Sequence, residues 1–309
     1  MHGTLVGIVG PTATGKTAVG IELAKRIDSE IISADSMAVY RGMDIGTAKP
    51  TPEEQAEVKF HLIDIVNPDE DFSVAEFKRL AEEAAADILK RGKLPLLVGG
   101  TGLYVKSVTS GLNIPAAAPN RKLREELKAE AAQFGGEHLL NRLKAVDPIT
   151  AERLHANDLK RIIRALEVHA LTGVPISHFH KTAGRTEVSF NVRLFGLTMD
   201  RDALYTRIEQ RIDKQIGAGL VNEVRGLLEK CYDLDLPSMK GLGYKQIAGH
   251  LKGEYDLQTA IVLLKRDTRR FAKRQLTWFR ADSRIHWIDV EGLGAGDTAA
   301  EIADLLCPP

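Results

Sequence analysis

Residues 5–17 read LVGIVGPTATGKT: an apolar run at 5–9 leads into Gly10-Pro11-Thr12-Ala13-Thr14-Gly15-Lys16-Thr17, which matches GxxxxGK[ST] and precedes an amphipathic helical pattern. Strand, glycine-rich turn and helix in that order make a phosphate loop. The glycines let successive backbone N–H groups turn toward one anion, Lys16 adds a point charge, and a helix opening at Lys16 contributes its positive end. Thr17 would supply a hydroxyl to Mg²⁺. The motif implies affinity for a di- or triphosphate and nothing narrower.

Working outward, short apolar runs at 31–34, 61–66 and 94–98 alternate with helical patterns, as in an α/β fold with an open parallel sheet. Ser73 and Glu76 form a capping box before a helix running to Lys90. Ligands of such sheets gather beyond the carboxyl ends of the strands. Two further turns belong at that edge. Gly99-Gly100-Thr101-Gly102 follows the run at 94–98, and Asp35-Ser36 follows the run at 31–34. Thr101 can donate to an oxygen there, although a tight packing turn would read the same way. Asp35 fits a general base or a Mg²⁺ ligand through water, and equally a loop cap. Asp64 resembles a metal-holding acid but lies mid-strand.

The stretch GLNIPAAAP at 111–119 has linker composition, and helical patterns follow at 122–134, 137–145, 149–155 and 159–172, the last capped by Asn157-Asp158. The expected organisation is a phosphate-loop core at 1–112 and 186–309 with a helical insertion at 113–185. Within the second core segment, a strand is expected at 191–198, helices over most of 202–280, a strand at 284–290 and a helix at 297–306.

The 309 residues carry 42 Lys plus Arg against 42 Asp plus Glu, which excludes a histone-like cationic protein but not a local basic face. Such a face is found at 264–280, with Lys265, Arg266, Arg269, Arg270, Lys273, Arg274 and Arg280 against Asp267 alone. Leu264, Phe271 and Trp278, seven apart, are expected to face the core. Lys160, Arg161 and Arg164 make a second basic cluster. Arg207 and Arg211 share a helix face beside Leu204, Ile208 and Ile212, where pairing with Glu209 or Asp213 is the alternative to ligand binding. The cysteines, Cys231 and Cys307, have no disulfide or zinc spacing, and His178 and His180 receive no role. No apolar run reaches the roughly 18–20 residues of a membrane span and no signal peptide opens the chain, so a soluble cytoplasmic protein is expected.

DSMAVYRGMDIGTAKP at 35–50 brings a resemblance into view. With GPTATGKT, LPLLVGGTGLY at 94–104, RALEV at 164–168, RIEQRID at 207–213, LPSMKGLGYKQ at 236–246 and AKRQLTWFR at 272–280, it resembles the bacterial tRNA dimethylallyltransferases over nearly the whole chain. The resemblance implies transfer of a dimethylallyl group from dimethylallyl diphosphate to N6 of adenosine 37, in tRNAs that read codons beginning with U. By resemblance, Asp35 is the general base, and Lys16, Thr17, Mg²⁺ and the loop amides of residues 10–17 neutralise the leaving diphosphate. Thr101 and Arg211 serve that same diphosphate region, while Arg207 stays open. Ala38 stands where many relatives have Gln. Candidate contacts to the tRNA anticodon stem-loop are Asp35, Ser36, Met37, Ala38, Thr101, Leu159, Lys160, Arg161, Ile162, Ile163, Arg270 and Arg274. The target adenine must swing out of its loop to reach Asp35, and the insertion is expected to hold that loop. No membrane or stable protein partner is implied.

Overall fold

The computed structural model describes residues 3–115, 117, 120–182 and 190–306. In chain order the elements are β1 (Thr4–Val9), α1 (Lys16–Arg26), β2 (Ser29–Ser33), α2 (Pro52–Glu57), β3 (Phe60–His61), α3 (Val74–Lys90), β4 (Leu94–Gly99) and α4 (Gly102–Thr109). Then come α5 (Arg121–Phe134), α6 (Gly136–Val146), α7 (Pro148–Ala151), α8 (Leu159–Thr172) and α9 (Ile176–Thr182). The remainder is β5 (Asn191–Thr198), α10 (Arg201–Gly217), α11 (Leu220–Glu229), α12 (Tyr244–Leu251), α13 (Leu257–Arg280), β6 (Ile285–Asp289) and α14 (Ala295–Leu306).

Two compact units are present. Met1–Phe72, Glu76–Val105 and Ser189–Pro309 make the first, and Ser73–Ala75 with Lys106–Val188 make the second. The division falls at Lys106, within α4 and ahead of the 111–119 stretch.

In the first unit, six parallel strands lie in the order β3-β2-β4-β1-β5-β6. β1 sits between β4 and β5, with Ile8 opposite both Val98 and Phe195. Central parallel strands are covered on both faces, which is why LVGIV and LPLLV are continuous apolar runs and why all but the first residue of each strand is buried. Because β2, β4 and β1 are neighbours, the turns that follow them come together at one sheet edge.

One local expectation needs correction. The run at 61–66 forms a strand only at Phe60–His61, since Leu62 and Asp64 take positive φ of 64° and 54°. Its remainder hydrogen-bonds to the turn after β2, with Asp64 N–H donating to Ala38 O at 3.2 Å and Ile65 N–H to Val39 O at 2.9 Å. The short helix α2, which the apolar spacing does not reveal, carries a full capping box between Thr51 and Glu54, with Pro52 at its first position.

The second unit packs α5, α6 and α8 around Leu127, Leu139, Leu143, Ile162 and Ile163. Asp158 caps α8, as its sequence suggested. The 149–155 pattern yields only α7. The wholly buried Glu167 is held by Arg124 at 2.8 Å, by Arg164 at 2.6 Å and by the Asn120 N–H at 2.8 Å. These bonds satisfy a carboxylate that would otherwise be costly to bury.

Candidate active site

The phosphate loop joins β1 to α1. Gly10 takes φ 138°, and a Cβ there would collide with the Leu197 carbonyl on β5, so this turn requires glycine. Inside the loop, the buried Thr14 hydroxyl donates to Pro11 O at 2.9 Å and Lys16 Nζ donates to the same oxygen at 2.6 Å. Burial, and secondarily the positive charge of Arg211, bring the Lys16 ammonium down to about 7, with Asp35 pulling the other way. An anion arriving beside Lys16 would restore its charge.

Asp35 follows β2 and does two things. Its Oδ1 accepts from Met37 N–H at 2.8 Å and Ala38 N–H at 3.4 Å, the loop-cap geometry that its sequence left open. Its Oδ2 has no hydrogen-bond partner among the described residues. Thr101 follows β4: its N–H donates to Ala34 O at 3.1 Å and its hydroxyl accepts the Ser36 N–H at 3.0 Å. The glycines around Thr101 answer to packing, since a Cβ on Gly102 would strike the Trp278 indole. The packing turn thus also brings Thr101 to the wall of a cavity.

Arg211 enters from α10, whose Leu204, Ile208 and Ile212 are buried as their spacing predicts. Its guanidinium donates to Thr12 Oγ1 at 3.2 Å and to Thr47 O at 3.3 Å. Burial lowers its pKa and Asp35 opposes that shift. Glu209 and Asp213 do not pair with Arg207 or Arg211; they bind Arg269 and Lys265 of α13. Arg207 is exposed and lines a cavity of about 570 Å³ with Lys16, Thr17, Lys49 and Lys214.

Sequence reasoning missed what holds the 44–47 loop against Arg211. The Glu223 carboxylate accepts the N–H groups of Asp44, Ile45 and Gly46 at 3.0, 2.7 and 3.1 Å, and also the Tyr244 hydroxyl at 2.7 Å. Gln215 donates to Ile45 O at 2.6 Å. No local pattern marks these residues, because their partners in the loop lie 178 and 170 positions away. Asp64 also finds its role here: it pairs at 2.6 Å with Lys49, only 3% exposed, which further binds Asp44.

A cavity of about 530 Å³ is lined by Thr12, Asp35, Ser36, Met37, Thr101, Arg211, Arg270, Phe271 and Arg274, with Lys240 and Lys245 adding positive charge. Asp35 also borders a small pocket of about 50 Å³ with Lys16, Thr17 and the buried Ala38. Its carboxylate and the Thr17 hydroxyl are hard oxygen donors suited to Mg²⁺, which takes one or two protein oxygens beside phosphate oxygens and water. Among the described residues no cluster of three or more His, Cys, Asp or Glu could hold a metal.

Several sequence expectations change here. The buried stripe of α13 is Ala260, Leu264, Ala272, Gln275 and Phe279; Phe271 lines the cavity and Trp278 is 46% exposed. Lys265, Arg266, Arg269 and Arg270 all approach acids within 4.0 Å, so much of the apparent charge excess is neutralised. Arg274 instead lies over the Phe271 ring at 5.8 Å. In the second unit, Ile162 and Ile163 are core side chains, and Arg164 is committed to Glu167. Lys160 and Arg161 are exposed, Leu159 is half-buried, and Arg161 pairs with Asp158 at 2.7 Å.

Comparison with known proteins bears on the family. The family model described as IPP transferase matches residues 38–282, and one for isopentenyl transferase matches 3–66. A tRNA dimethylallyltransferase of Desulforudis audaxviator is 55% identical over 296 residues, spanning 96% of this chain and 95% of that one. A tRNA dimethylallyltransferase of Heliobacterium modesticaldum is 52% identical over 93% of this chain and 89% of its own. Among solved structures, a tRNA isopentenylpyrophosphate transferase of Bacillus halodurans superposes with a TM-score of 0.72 at 44% identity, covering 98% of this chain and 95% of that one. A eukaryotic dimethylallyltransferase acting on tRNA gives a TM-score of 0.83 at 25% identity, over 98% and 79% of the two chains. With identity above one half across almost its full length, and with a family match reaching from the turn after β2 to the end of α13, the chain belongs to the IPP transferase family.

Proposed function

We propose that this protein transfers the dimethylallyl group of dimethylallyl diphosphate to N6 of adenosine 37, in the anticodon loop of cytoplasmic tRNAs that read codons beginning with U. The observation that carries this reading is the position of Asp35, whose side chain borders both the basic 530 Å³ cavity and the small pocket of Lys16 and Thr17. A base is needed because the N6 lone pair is delocalised into the adenine ring. As the bond from N6 to the prenyl carbon forms and the carbon–oxygen bond breaks, Asp35 accepts the N6 proton and diphosphate departs. Lys16, Arg211 and the loop amides carry the charge that builds on the leaving oxygen. Thr17 would offer its hydroxyl to Mg²⁺, which supplies further charge neutralisation at the diphosphate. Arg270 and Arg274 line the same cavity as Asp35, and their charge suits contact with RNA phosphates beside the outturned adenosine.

The test is thermal protection. Dimethylallyl diphosphate with Mg²⁺ should raise the unfolding midpoint more than ATP with Mg²⁺ does, and Lys16→Ala should lose that protection. Stronger protection by ATP would favour a phosphoryl-transfer enzyme built on the same loop.

A further inference from the structure

Position 275 belongs to the buried stripe of α13, where an apolar side chain would be expected, yet it is glutamine and only 7% exposed. A buried amide is costly unless both ends are bonded. Gln275 Oε1 accepts the Thr12 N–H at 2.9 Å, and Nε2 donates to Gly100 O at 2.9 Å. Only one orientation of the amide satisfies both partners, because the first is a donor and the second an acceptor.

The two partners matter more than the bonds themselves. Thr12 lies in the phosphate loop after β1, and Gly100 lies in the turn after β4, immediately before Thr101. The Thr12 hydroxyl accepts from Arg211, so Thr12 is fixed from α13 through its N–H and from α10 through its side chain. Its N–H is spent on Gln275. A Cβ on Gly100 would run into the Gln275 amide, so the close approach is built into both residues. On the same helix, Phe271, one turn earlier, and Arg274, the preceding residue, line the large cavity.

We infer that Gln275 is a positioning residue that holds the phosphate loop and the Thr101 turn in register, so that both act on one diphosphate. This rests on the reading of that loop as the diphosphate site. Gln275 touches no substrate; it acts through Thr12 and Gly100. Its loss should weaken diphosphate binding and slow transfer while leaving the affinity for tRNA unchanged.

The experiment compares the wild-type protein with Gln275→Met and Gln275→Glu, measuring inorganic diphosphate binding with Mg²⁺ by calorimetry, tRNA binding by filter retention, and turnover. Gln275→Met keeps the volume and should weaken diphosphate binding by about tenfold, with tRNA binding within about twofold of wild type. Gln275→Glu should be equally weak at about pH 8.5 and return toward wild type at about pH 6, because a protonated carboxyl again presents one donor and one acceptor. A residue that merely filled the core would not give this pH-dependent rescue. Diphosphate affinity unchanged in both variants would overturn the inference, as would an equal loss of tRNA and diphosphate binding. Should Gln275→Met fail to fold, the pH dependence of Gln275→Glu decides alone. A wild-type protein whose diphosphate affinity falls in the Gln275 variants as expected, but which transfers nothing, would sink the proposed function and leave the inference standing.

Discussion

The hydroxyl of Thr101 accepts the backbone N–H of Ser36 at 3.0 Å and donates to the Ser36 hydroxyl at 3.3 Å, across 65 positions of chain. This tie joins the turn after β4 to the turn after β2 and fixes the backbone from which Asp35 projects. The same turn is braced internally by Asp35 Oδ1. The carboxylate braces the turn through one oxygen, and the proposed function assigns the other the role of base.

These roles can be separated by substitution. Asparagine at position 35 keeps an oxygen that accepts from Met37 and Ala38 but cannot take a proton. Asp35→Asn should therefore fold as wild type and bind tRNA with similar affinity, while turnover falls by about two to four orders of magnitude. Asp35→Ala should lose comparable turnover and also some stability. Turnover retained in the asparagine variant would reduce Asp35 to a loop cap.

Arg270 is exposed, with only a 3.8 Å approach to Asp267, and Arg274 is exposed over Phe271. Charge reversal of both should weaken tRNA binding without unfolding α13, whose buried stripe lies elsewhere. If each neutralises a phosphate, the log–log salt dependence of binding should flatten by about 0.7–0.9 for each phosphate left without its arginine. An unchanged salt slope would place the RNA on another surface.

A third outcome concerns stability in acid. Glu30, buried beside β3, is bonded by Arg91 at 2.8 Å and by His61 at 2.8 Å, and chiefly the Arg91 hydrogen bond holds its carboxyl at about 2 rather than 4.5. A depressed carboxylate contributes stability above its ordinary pKa and loses it as the pH falls through the folded value. The contribution should therefore fade between about pH 4.5 and about pH 2. Arg91→Ala leaves the Glu30 carboxylate without its main partner, so it should lower the denaturation midpoint near neutrality and make the acid limb of the stability curve shallower across that window. Parallel curves for the two proteins would show that the pair contributes nothing.

What could be read from the residues alone depended on range. The phosphate loop and the strands at 5–9 and 94–98 are local: an apolar run, glycines at fixed spacing and a helix start suffice. The strand expected at 61–66 failed because Leu62 and Asp64 take left-handed backbone and the N–H groups of Asp64, Ile65 and Val66 go to carbonyls of Ala38 and Val39, which no window around 61 contains. In α13, a seven-residue spacing selected Phe271 and Trp278 for the core. The true buried face passes through Ala272 and Gln275, a small and a polar residue that hydropathy underrates. Its positive charge was overcounted for a related reason, since Glu209 and Asp213 are supplied by α10. Arg211 and Gln275 both lie in blocks that carry the resemblance, but only Arg211 came with a role, and Glu223 lies in none of those blocks; the bonds of Gln275 and Glu223 go to residues far away in the chain.

The most direct measurement is the mass of an unmodified substrate tRNA after incubation with the protein, Mg²⁺ and dimethylallyl diphosphate, followed by nuclease mapping of the altered nucleoside. A single dimethylallyl increment located on adenosine 37, absent when Asp35→Asn replaces the wild type, is the expected result. No increment on several suitable tRNAs, under conditions where the same protein binds both tRNA and diphosphate, would contradict the account.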